Sequence, residues 1–346
     1  MIVLLGLILS PADSLSVMFW NVENFFDWRN DSTTVSDMEF SAAGERHWTW
    51  KRFQAKANAF AKALFWVETE TGRLPDIIGL EEVENAFVLR QVLQKTALRK
   101  LDYKYVHYDS PDRRGIDVAL LYRSSRLELL DSKPCHLYAA DTVMATRDIL
   151  LCMFKRAGPL VMPDPLSFAV LVNHHPSKYG GAAESEPRRR IAVERLRFLA
   201  DSLAAVGLDR IIAGGDFNDT PDNPVFRRLE PTLVPMHMDL FRRGFGTIKY
   251  DGKWDLIDHI YVSPALLDAP MPAPASDSSS GVTGRQEDKV GGPWARARMR
   301  ILRIPFLLTR DTVHSGEKPL RTYTGPRHTG GVSDHLPVLL EVSLPP

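Results

Sequence analysis

The sequence predicts a layered α/β fold in which much of the strand pairing is antiparallel. Apolar runs of strand length recur along the chain, and amphipathic helical patterns lie between some of them. The strand-like runs outnumber the helical patterns by roughly two to one. Because a helix that is apolar on one face needs a sheet to cover, we expect helices and sheets to pack in layers. A strictly alternating parallel barrel fits this pattern less well.

Eight runs are predicted as strands, because they have strand length and several are rich in Val, Ile, Leu and aromatic residues. That composition indicates strands whose faces are covered. The runs are Ser16–Trp20, Asp76–Leu80, Val118–Tyr122, Ile149–Phe154, Phe168–Asn173, Arg210–Gly214, Ile257–Val262 and Pro337–Val342.

Two segments have the three- and four-residue apolar spacing of an amphipathic helix. The first pattern consists of Phe53, Ala57, Phe60, Leu64 and Val67. The second consists of Ala192, Leu196, Leu199, Leu203 and Val206. Gly207 follows the second pattern and is predicted to end that helix.

Length and composition are ordinary for a globular protein, with 346 residues of which 44% are hydrophobic and 25% charged. We predict one domain over residues 15–346. Lys plus Arg equal Asp plus Glu at 43 each, so net charge argues neither for nor against a nucleic-acid partner. The two cysteines, Cys135 and Cys152, form neither a disulfide framework nor a metal-binding spacing, and whether they pair stays open.

Residues 1–14 begin with a short apolar run that has two interpretations. A short or mis-started signal segment is slightly favoured, because the small residues Ala12 and Ser14 fit a signal-peptidase site with cleavage after Ser14. An ordinary buried strand is the alternative. The signal interpretation predicts a secreted or periplasmic protein, and the alternative is a cytoplasmic one. No run is long enough to span a bilayer, so we expect no stable membrane insertion.

A second unusual segment is Asp268–Gly292, which is rich in Pro, Ser and Gly and is predicted to be a mobile insertion. It is followed by Arg296, Arg298 and Arg300, whose period-two spacing puts them on one face of a strand. A solvated edge strand protected by charge is the favoured interpretation. A face that contacts phosphate groups is the alternative.

Polar and titratable side chains stand at the predicted ends of several strands. Taken singly, most have an ordinary structural explanation, such as an Asx turn for Asp216 and Asn218 or a core position for His335. The stretches are FWNVEN (Asn21, Glu23, Asn24), IIGLEEVEN (Glu81, Glu82), LVNHHPSK (Asn173, His174, His175), GGDFND (Asp216, Asn218), LIDHIYVS (Asp258) and VSDHLP (Asp334, His335).

Taken together, these residues indicate a catalytic site. A buried carboxylate such as Asp258 needs a partner, and a histidine is the obvious one. Carboxylates and amides without cysteine suit a hard divalent ion, Mg²⁺ or Mn²⁺, that reaches a phosphate oxygen. Histidines beside carboxylates suit proton transfer near neutral pH. This combination is typical of metal-assisted phosphoester hydrolysis.

The ordered motifs WN, EE, NH, GDFN, an Asp within an apolar strand and SDH resemble those of the endonuclease/exonuclease/phosphatase superfamily. The match extends from Trp20 to His335. The stretches SPDRRGIDVALLYR, TRDIL, RTYTG and GGVSDHLPV are similar to a bacterial branch of secreted-type members. The resemblance implies a four-layer α/β sandwich, with two mostly antiparallel sheets face to face, helices outside, and the active site at one end.

The resemblance also implies roles for individual residues. Glu82 matches the main metal-binding glutamate, Asn21 the asparagine near that metal, and Asp334 the aspartate at its edge. His335 resembles the histidine near the scissile phosphate, with Asp258 as its orienting partner. The implied cofactor is Mg²⁺ or Mn²⁺, with Ca²⁺ as an alternative.

The remaining roles concern water and substrate. Asp216 and Asn218 match a pair in which the aspartate handles the nucleophilic water or the leaving group and the asparagine contacts the phosphate. His174 matches a second acid or electrophilic donor. We also expect Arg114 and Asn173 to contact the substrate.

Glu81 departs from the family pattern, in which Gln is usual; it either adds a carboxylate near the metal or faces solvent. Whether Asp216 or His335 is the general base stays open. We expect a monomer whose phosphoester substrate is nucleic acid, cleaved by in-line attack of water. A phosphatase or a sphingomyelinase-like phospholipase is the alternative, and a non-catalytic binding module is less favoured because the motifs are intact.

Overall fold

The structure is a computed structural model that describes residues 14–30, 34–157, 167–178, 181–267 and 297–343. The predicted signal segment, apart from Ser14, and the predicted insertion Asp268–Gly292 lie outside the described residues. So does Arg296. No helix among the described residues combines the length and apolar character needed to cross a bilayer.

Within these ranges the strands and helices have the following bounds. The strands are β1 (Ser14–Phe25), β2 (Ile77–Val83), β3 (Tyr103–His107), β4 (Asp117–Arg123), β5 (Leu127–Cys135), β6 (Tyr138–Ala139), β7 (Thr142–Val143), β8 (Ile149–Arg156), β9 (Phe168–His174), β10 (Ile211–Asp216), β11 (Val234–Pro235), β12 (Ile248–Tyr250), β13 (Lys253–Asp255), β14 (Asp258–Val262), β15 (Ala297–Ile301), β16 (Leu308–Arg310), β17 (Glu317–Pro319), β18 (Tyr323–Thr324), β19 (Arg327–His328) and β20 (Val338–Ser343). The α-helices are α1 (Val35–Glu39), α2 (Trp50–Thr71), α3 (Ala86–Lys95), α4 (Ala182–Ala205) and α5 (Met238–Arg242).

Two six-stranded sheets form the centre of the fold. The first has the order β15-β20-β1-β2-β4-β3 and the second β11-β14-β10-β9-β8-β5. Each sheet contains one parallel pair, β1 with β2 and β9 with β10, and all its other neighbours are antiparallel. The predicted α/β fold with mostly antiparallel sheets is therefore confirmed. All eight predicted strands belong to these sheets, although Asp258 begins β14 instead of lying within it.

Three apolar clusters show the four layers. Strand β1 alternates between two of them, because successive side chains of a strand point to opposite faces. Val17 and Phe19 face the gap between the sheets, whereas Met18 and Trp20 face α2 and α3 on the outside. The outer face of the second sheet packs against α4. Both predicted helical patterns are confirmed as α2 and α4, and Gly207 has the left-handed φ of 84° expected just beyond a helix.

The two sheets meet most closely around Phe19. Its ring lies against Gly79 of β2 and Gly214 of β10, and a Cβ atom at either glycine would stand 2.4 Å from a ring atom. Only a residue without a side chain fits at such a contact, which explains both glycines.

The arginine ladder lies on an edge strand. Arg298 and Arg300 alternate along β15 with the buried Ala297 and Met299. The Arg300 guanidinium lies 3.2 Å from the carboxylate of Glu341 on β20. This arrangement agrees with the favoured interpretation of an edge kept soluble by charge.

Candidate active site

The candidate active site lies where the two parallel strand pairs end. The pairing places Asn21 beside Glu81 at the end of β1 and β2, and Asp216 beside His174 at the end of β9 and β10. Carboxyl ends of parallel strands share one edge of a sheet. The hydrogen bond from Asn21 Nδ2 to Asp216 Oδ2, 3.0 Å long, joins the two sheets at this edge.

His335 is held between two aspartates. Its Nδ1 lies 2.8 Å from Asp258 Oδ2, and its Nε2 lies 3.9 Å from Asp216 Oδ2. The backbone is fixed as well, since the His335 amide donates to Ser333 Oγ at 2.9 Å and its carbonyl accepts from Trp20 Nε1 at 3.1 Å. Burial alone would lower the pKa of His335, but the carboxylates of Asp258 and Asp216 outweigh it and raise that pKa well above its ordinary value.

Asp216 accepts several hydrogen bonds. Besides the amide of Asn21, it accepts from the backbone N–H of Asn218 at 2.8 Å and from its Nδ2 at 3.2 Å. Asn218 has a left-handed φ of 53°, which turns its amide back toward Asp216. Burial raises the pKa of Asp216 to about 7, although His335 pulls it down and Asp258 pushes it further up. This carboxyl group therefore exchanges a proton readily near neutral pH.

His174 is the second histidine of this half. Its Nε2 lies 3.6 Å from Asp216 Oδ2. Burial, with Arg147 and Arg114 nearby, lowers the pKa of His174 well below its ordinary value. The ring is therefore a neutral imidazole, unlike that of His335.

The other half of the site contains Glu82, Glu23 and Asp334. Glu82 sits at a break in the β1–β2 and β2–β4 register with a left-handed φ of 64°. Its Oε2 accepts the backbone N–H of Asn24 at 2.7 Å and lies 3.7 Å from the Arg114 guanidinium. Strand alternation places Glu81 in the inter-sheet gap and Glu82 on the opposite side, and the bulge changes the direction of the strand at Glu82.

Two basic side chains, Arg321 and Lys56, neutralise this half. The Arg321 guanidinium contacts Glu23 Oε1 at 3.0 Å and Asp334 Oδ2 at 2.9 Å. The ammonium group of Lys56, buried on α2, donates to the Glu23 carbonyl and to Thr322 Oγ1. Burial lowers the pKa of Lys56 to about 8, against the opposing pull of Glu23 and Glu82.

The donor set fits a hard divalent cation. Carboxylate and amide oxygens of Glu82, Asp334 and Asn21 are available without any thiol, the set that Mg²⁺ or Mn²⁺ prefers. Glu81 adds an independent sign, because it is completely buried and neither of its oxygens has a hydrogen-bond partner among the described residues. An orphaned carboxyl group in a cluster of carboxylates is costly unless a proton or a cation compensates it.

The structure brings nearly all the predicted site residues to one place. They are Asn21, Glu82, Arg114, His174, Asp216, Asn218, Asp258, Asp334 and His335. Asn173 is the exception: it is completely buried and its amide donates to the Leu171 carbonyl at 2.8 Å, so it does not reach the open side. Glu81 does not face solvent, which removes one of its two interpretations.

Three contributors, Lys56, Arg321 and Arg147, were not named individually by sequence reasoning, whereas Glu23 was already named in the stretch FWNVEN. Lys56, Glu23 and Arg321 form the cation network, and Arg147 is a buried guanidinium that donates to the His175 carbonyl at 2.9 Å. For Lys56 the sequence contains a signal of a buried charge. It stands three residues after Phe53, on the apolar face of its helix. Arg321 and Arg147 stand in the family-like stretches RTYTG and TRDIL, but those stretches alone give neither residue a role.

Comparison with known proteins assigns the family. The chain matches the Endonuclease/Exonuclease/phosphatase family over residues 16–273. It is 25% identical over 199 residues to Protein angel of Drosophila melanogaster, covering 54% of each protein. The chain therefore spans about half the length of this curated relative.

Solved structures show the same fold. The human Nocturnin catalytic domain with bound sulfate anion aligns with a TM-score of 0.54 at 17% identity, over 96% of this chain and 94% of that one. TDP2 of D. rerio complexed with a single-strand DNA product aligns with a TM-score of 0.50 at 14% identity, over 95% of this chain and 98% of that one. Since the family match covers well over half of its residues, this chain belongs to the endonuclease/exonuclease/phosphatase family.

Proposed function

We propose that this chain is a divalent-metal-dependent nuclease that hydrolyses phosphodiester bonds of DNA or RNA by in-line attack of water. The observation that carries the proposal is His335, oriented by Asp258 at 2.8 Å and facing Asp216, next to the oxygen ligands Glu82 and Asp334. This arrangement supplies a proton acceptor, a positively charged hydrogen-bond donor and a cation site around one opening.

Each residue has a defined task in this mechanism. Asp216 accepts a proton from the attacking water, because its pKa of about 7 matches neutral conditions. His335 remains positively charged beside Asp258 and donates from Nε2 to a phosphoryl oxygen. Neutral His174 adds a donor without adding charge. Asn218 Nδ2 donates to the His175 carbonyl at 3.0 Å and to Asp216 at 3.2 Å, so it would have to exchange one of these hydrogen bonds to reach the phosphate. Glu82, Asp334 and Asn21 would hold the divalent ion, which supplies charge neutralisation at the phosphoryl group when bound.

A polyanionic substrate is supported by the guanidinium groups on both sides of the opening. Arg114, 45% exposed, lies beside Glu82 on one side, and Arg321, 48% exposed, lies beside Asp334 on the other. Arginine side chains recognise phosphate oxygens through paired N–H donors. The DNA product bound to the structurally similar TDP2 is consistent with this choice of substrate.

The test is an assay of purified protein with Mg²⁺ against plasmid DNA, RNA, a chromogenic phosphomonoester and sphingomyelin. We expect cleavage of nucleic acid that EDTA abolishes and Mg²⁺ restores. Release of phosphate from the monoester alone would identify a phosphatase, and cleavage of sphingomyelin alone a phospholipase. A folded protein inactive on all four substrates would contradict the hydrolytic proposal.

A further inference from the structure

A small cavity adjoins the metal-side half of the site. It has a volume of about 160 Å³, and its walls include Asn24, Phe40, Arg46, Arg321 and Tyr323. This is enough room for several water molecules and therefore for a tetrahedral oxyanion. The cavity is next to the site because Arg321 also contacts Asp334, and the backbone of Asn24 contacts Glu82.

Both guanidinium groups in this cavity are held in place. Arg321 donates from Nε and Nη2 to Glu23, and Nη2 also contacts Asp334. Arg46 donates from Nε to Glu39 at 2.7 Å and from Nη1 to the Gly325 carbonyl at 2.6 Å. Within the described residues, Nη1 of Arg321 and Nη2 of Arg46 have no hydrogen-bond partner.

The surroundings favour an anion. The charged residues that line the cavity are two cations, Arg46 and Arg321, and one carboxylate, Glu23, whose pKa burial raises to about 7. Tyr323 stabilises the wall by donating its hydroxyl to the Arg46 carbonyl at 2.8 Å. Guanidinium groups already fixed by other contacts lose little further side-chain entropy when they bind a phosphate.

We propose that this cavity binds the phosphate group next to the scissile one along a nucleic-acid strand. The inference rests on the proposed nuclease function and defines its substrate more closely. It requires a substrate with a second phosphate beside the bond that is cut. Small phosphodiesters that lack this group leave the cavity unused.

The first experiment compares dinucleotides that differ only in a terminal phosphate. Wild-type kcat/KM is measured with dTpdT and with the same dinucleotide phosphorylated at its 5′ or its 3′ end. We expect one of the phosphorylated forms to be cleaved about tenfold faster than dTpdT, which corresponds to about 1.4 kcal/mol. Arg46→Gln is expected to remove this preference and leave the rate on dTpdT unchanged.

Two matched variants complete the test. Arg90→Gln changes an exposed arginine on α3 outside this cavity and should keep the preference. Arg46→Lys retains the charge without the forked geometry and should keep only part of it. Equal wild-type rates on all three dinucleotides, or an Arg46→Gln loss that is the same on dTpdT, would overturn the proposal.

Binding measurements test this inference independently of the proposed nuclease function. Thymidine 3′,5′-bisphosphate and thymidine monophosphates are titrated into wild type and Arg46→Gln by calorimetry, with circular dichroism to confirm folding. We expect the bisphosphate to bind wild type about tenfold more tightly than either monophosphate, and Arg46→Gln to bind all three alike. If no dinucleotide is cleaved but this pattern holds, the nuclease proposal fails and the anion site stands. If cleavage occurs without the pattern, the reverse is true.

Discussion

The two halves of the candidate site neutralise their carboxylates in different ways. Asp216 and Asp258 have histidine partners, and no side chain of this trio with His335 is more than 6% exposed. Glu23 and Asp334 share the permanent cation Arg321, and this half reaches the surface, since Arg321 is 48% and Asp334 24% exposed although Glu23 is buried. The buried half is suited to moving a proton, since its partners titrate. The open half is suited to holding a metal ion and a phosphate, since the guanidinium group of Arg321 stays charged at any physiological pH, although burial raises the pKa of Glu23 to about 7.

The largest effect is expected in the buried half. His335→Gln and Asp258→Asn should each reduce turnover by about 10²- to 10³-fold, the general range for loss of one preorganised donor to a developing negative charge. Because the two side chains act as one unit, the double variant should lose no more than either single variant. Turnover is measured at saturating Mg²⁺.

The same type of pair elsewhere in the molecule provides the control. His136 Nδ1 lies 2.8 Å from Asp148 Oδ1 outside the candidate site. His136→Gln should leave turnover unchanged. A double variant of His335 and Asp258 whose loss equals the product of the single losses would show that they act independently.

In the open half, Glu82→Gln should reduce turnover by roughly 10²-fold or more, because the change removes a charge that holds the metal while keeping the side-chain volume. The Mg²⁺ concentration at half-maximal rate should rise as well. Metal titrations of wild type and variant measure both effects. An unchanged metal dependence would remove Glu82 from the metal site.

A smaller effect is expected for Lys56→Met. Lys56 holds the Glu23 carbonyl, and the turn that follows presents the Asn24 N–H to Glu82 at 2.7 Å. Loss of this support should lower turnover at saturating Mg²⁺ about tenfold, as for other outer partners of metal ligands. Lys62→Met on the same helix is the control, because Lys62 Nζ lies over the ring of Phe306 and touches no site residue. Equal turnover in both variants would contradict this role.

A buried histidine without a carboxylate partner should have a lowered pKa, whereas the pKa of His335 is raised. His237 is stacked on His259 at 4.2 Å between ring centroids, and burial lowers the pKa of His237 to about 3. In acid the unfolded state therefore binds more protons than the folded state. The contribution of His237 to the free energy of unfolding is complete above pH 6.5 and decreases as the pH drops toward 3. At pH 5.5 this histidine should lower the free energy of unfolding by about 1.4 kcal/mol.

Urea unfolding at pH 7.5 and pH 5.5 measures this difference. His237→Phe retains a ring but cannot be protonated, so its stability should fall less between the two pH values than that of wild type. His47→Gln, at an exposed position, serves as the control. An identical pH dependence in wild type and His237→Phe would show that His237 does not contribute to acid sensitivity.

Sequence reasoning located the strands and the buried pair for a common physical reason. Apolar runs must be covered, and a carboxylate at the edge of such a run, as at Asp258, must have a partner. The open half could not be predicted in this way. Lys56 meets Glu23 across 33 residues and Thr322 across 266, and no local pattern specifies such contacts. The left-handed bulge at Glu82 is likewise set by pairing with two neighbouring strands.

The site geometry depends on an aromatic spacer that touches no catalytic group. Phe19 fills the slot formed by Gly79 and Gly214, and each of these residues stands two positions before Asn21, Glu81 or Asp216 on its own strand. Since side chains repeat every second residue along a strand, the polar residues form the next layer above the ring. The Phe19 ring meets the two glycines with opposite edges, so its width contributes to the distance at which the two sheets hold the polar residues above it. A substitution at Phe19 could leave a folded protein whose chemistry is misaligned, so inherited loss of activity need not map to any residue that meets the substrate.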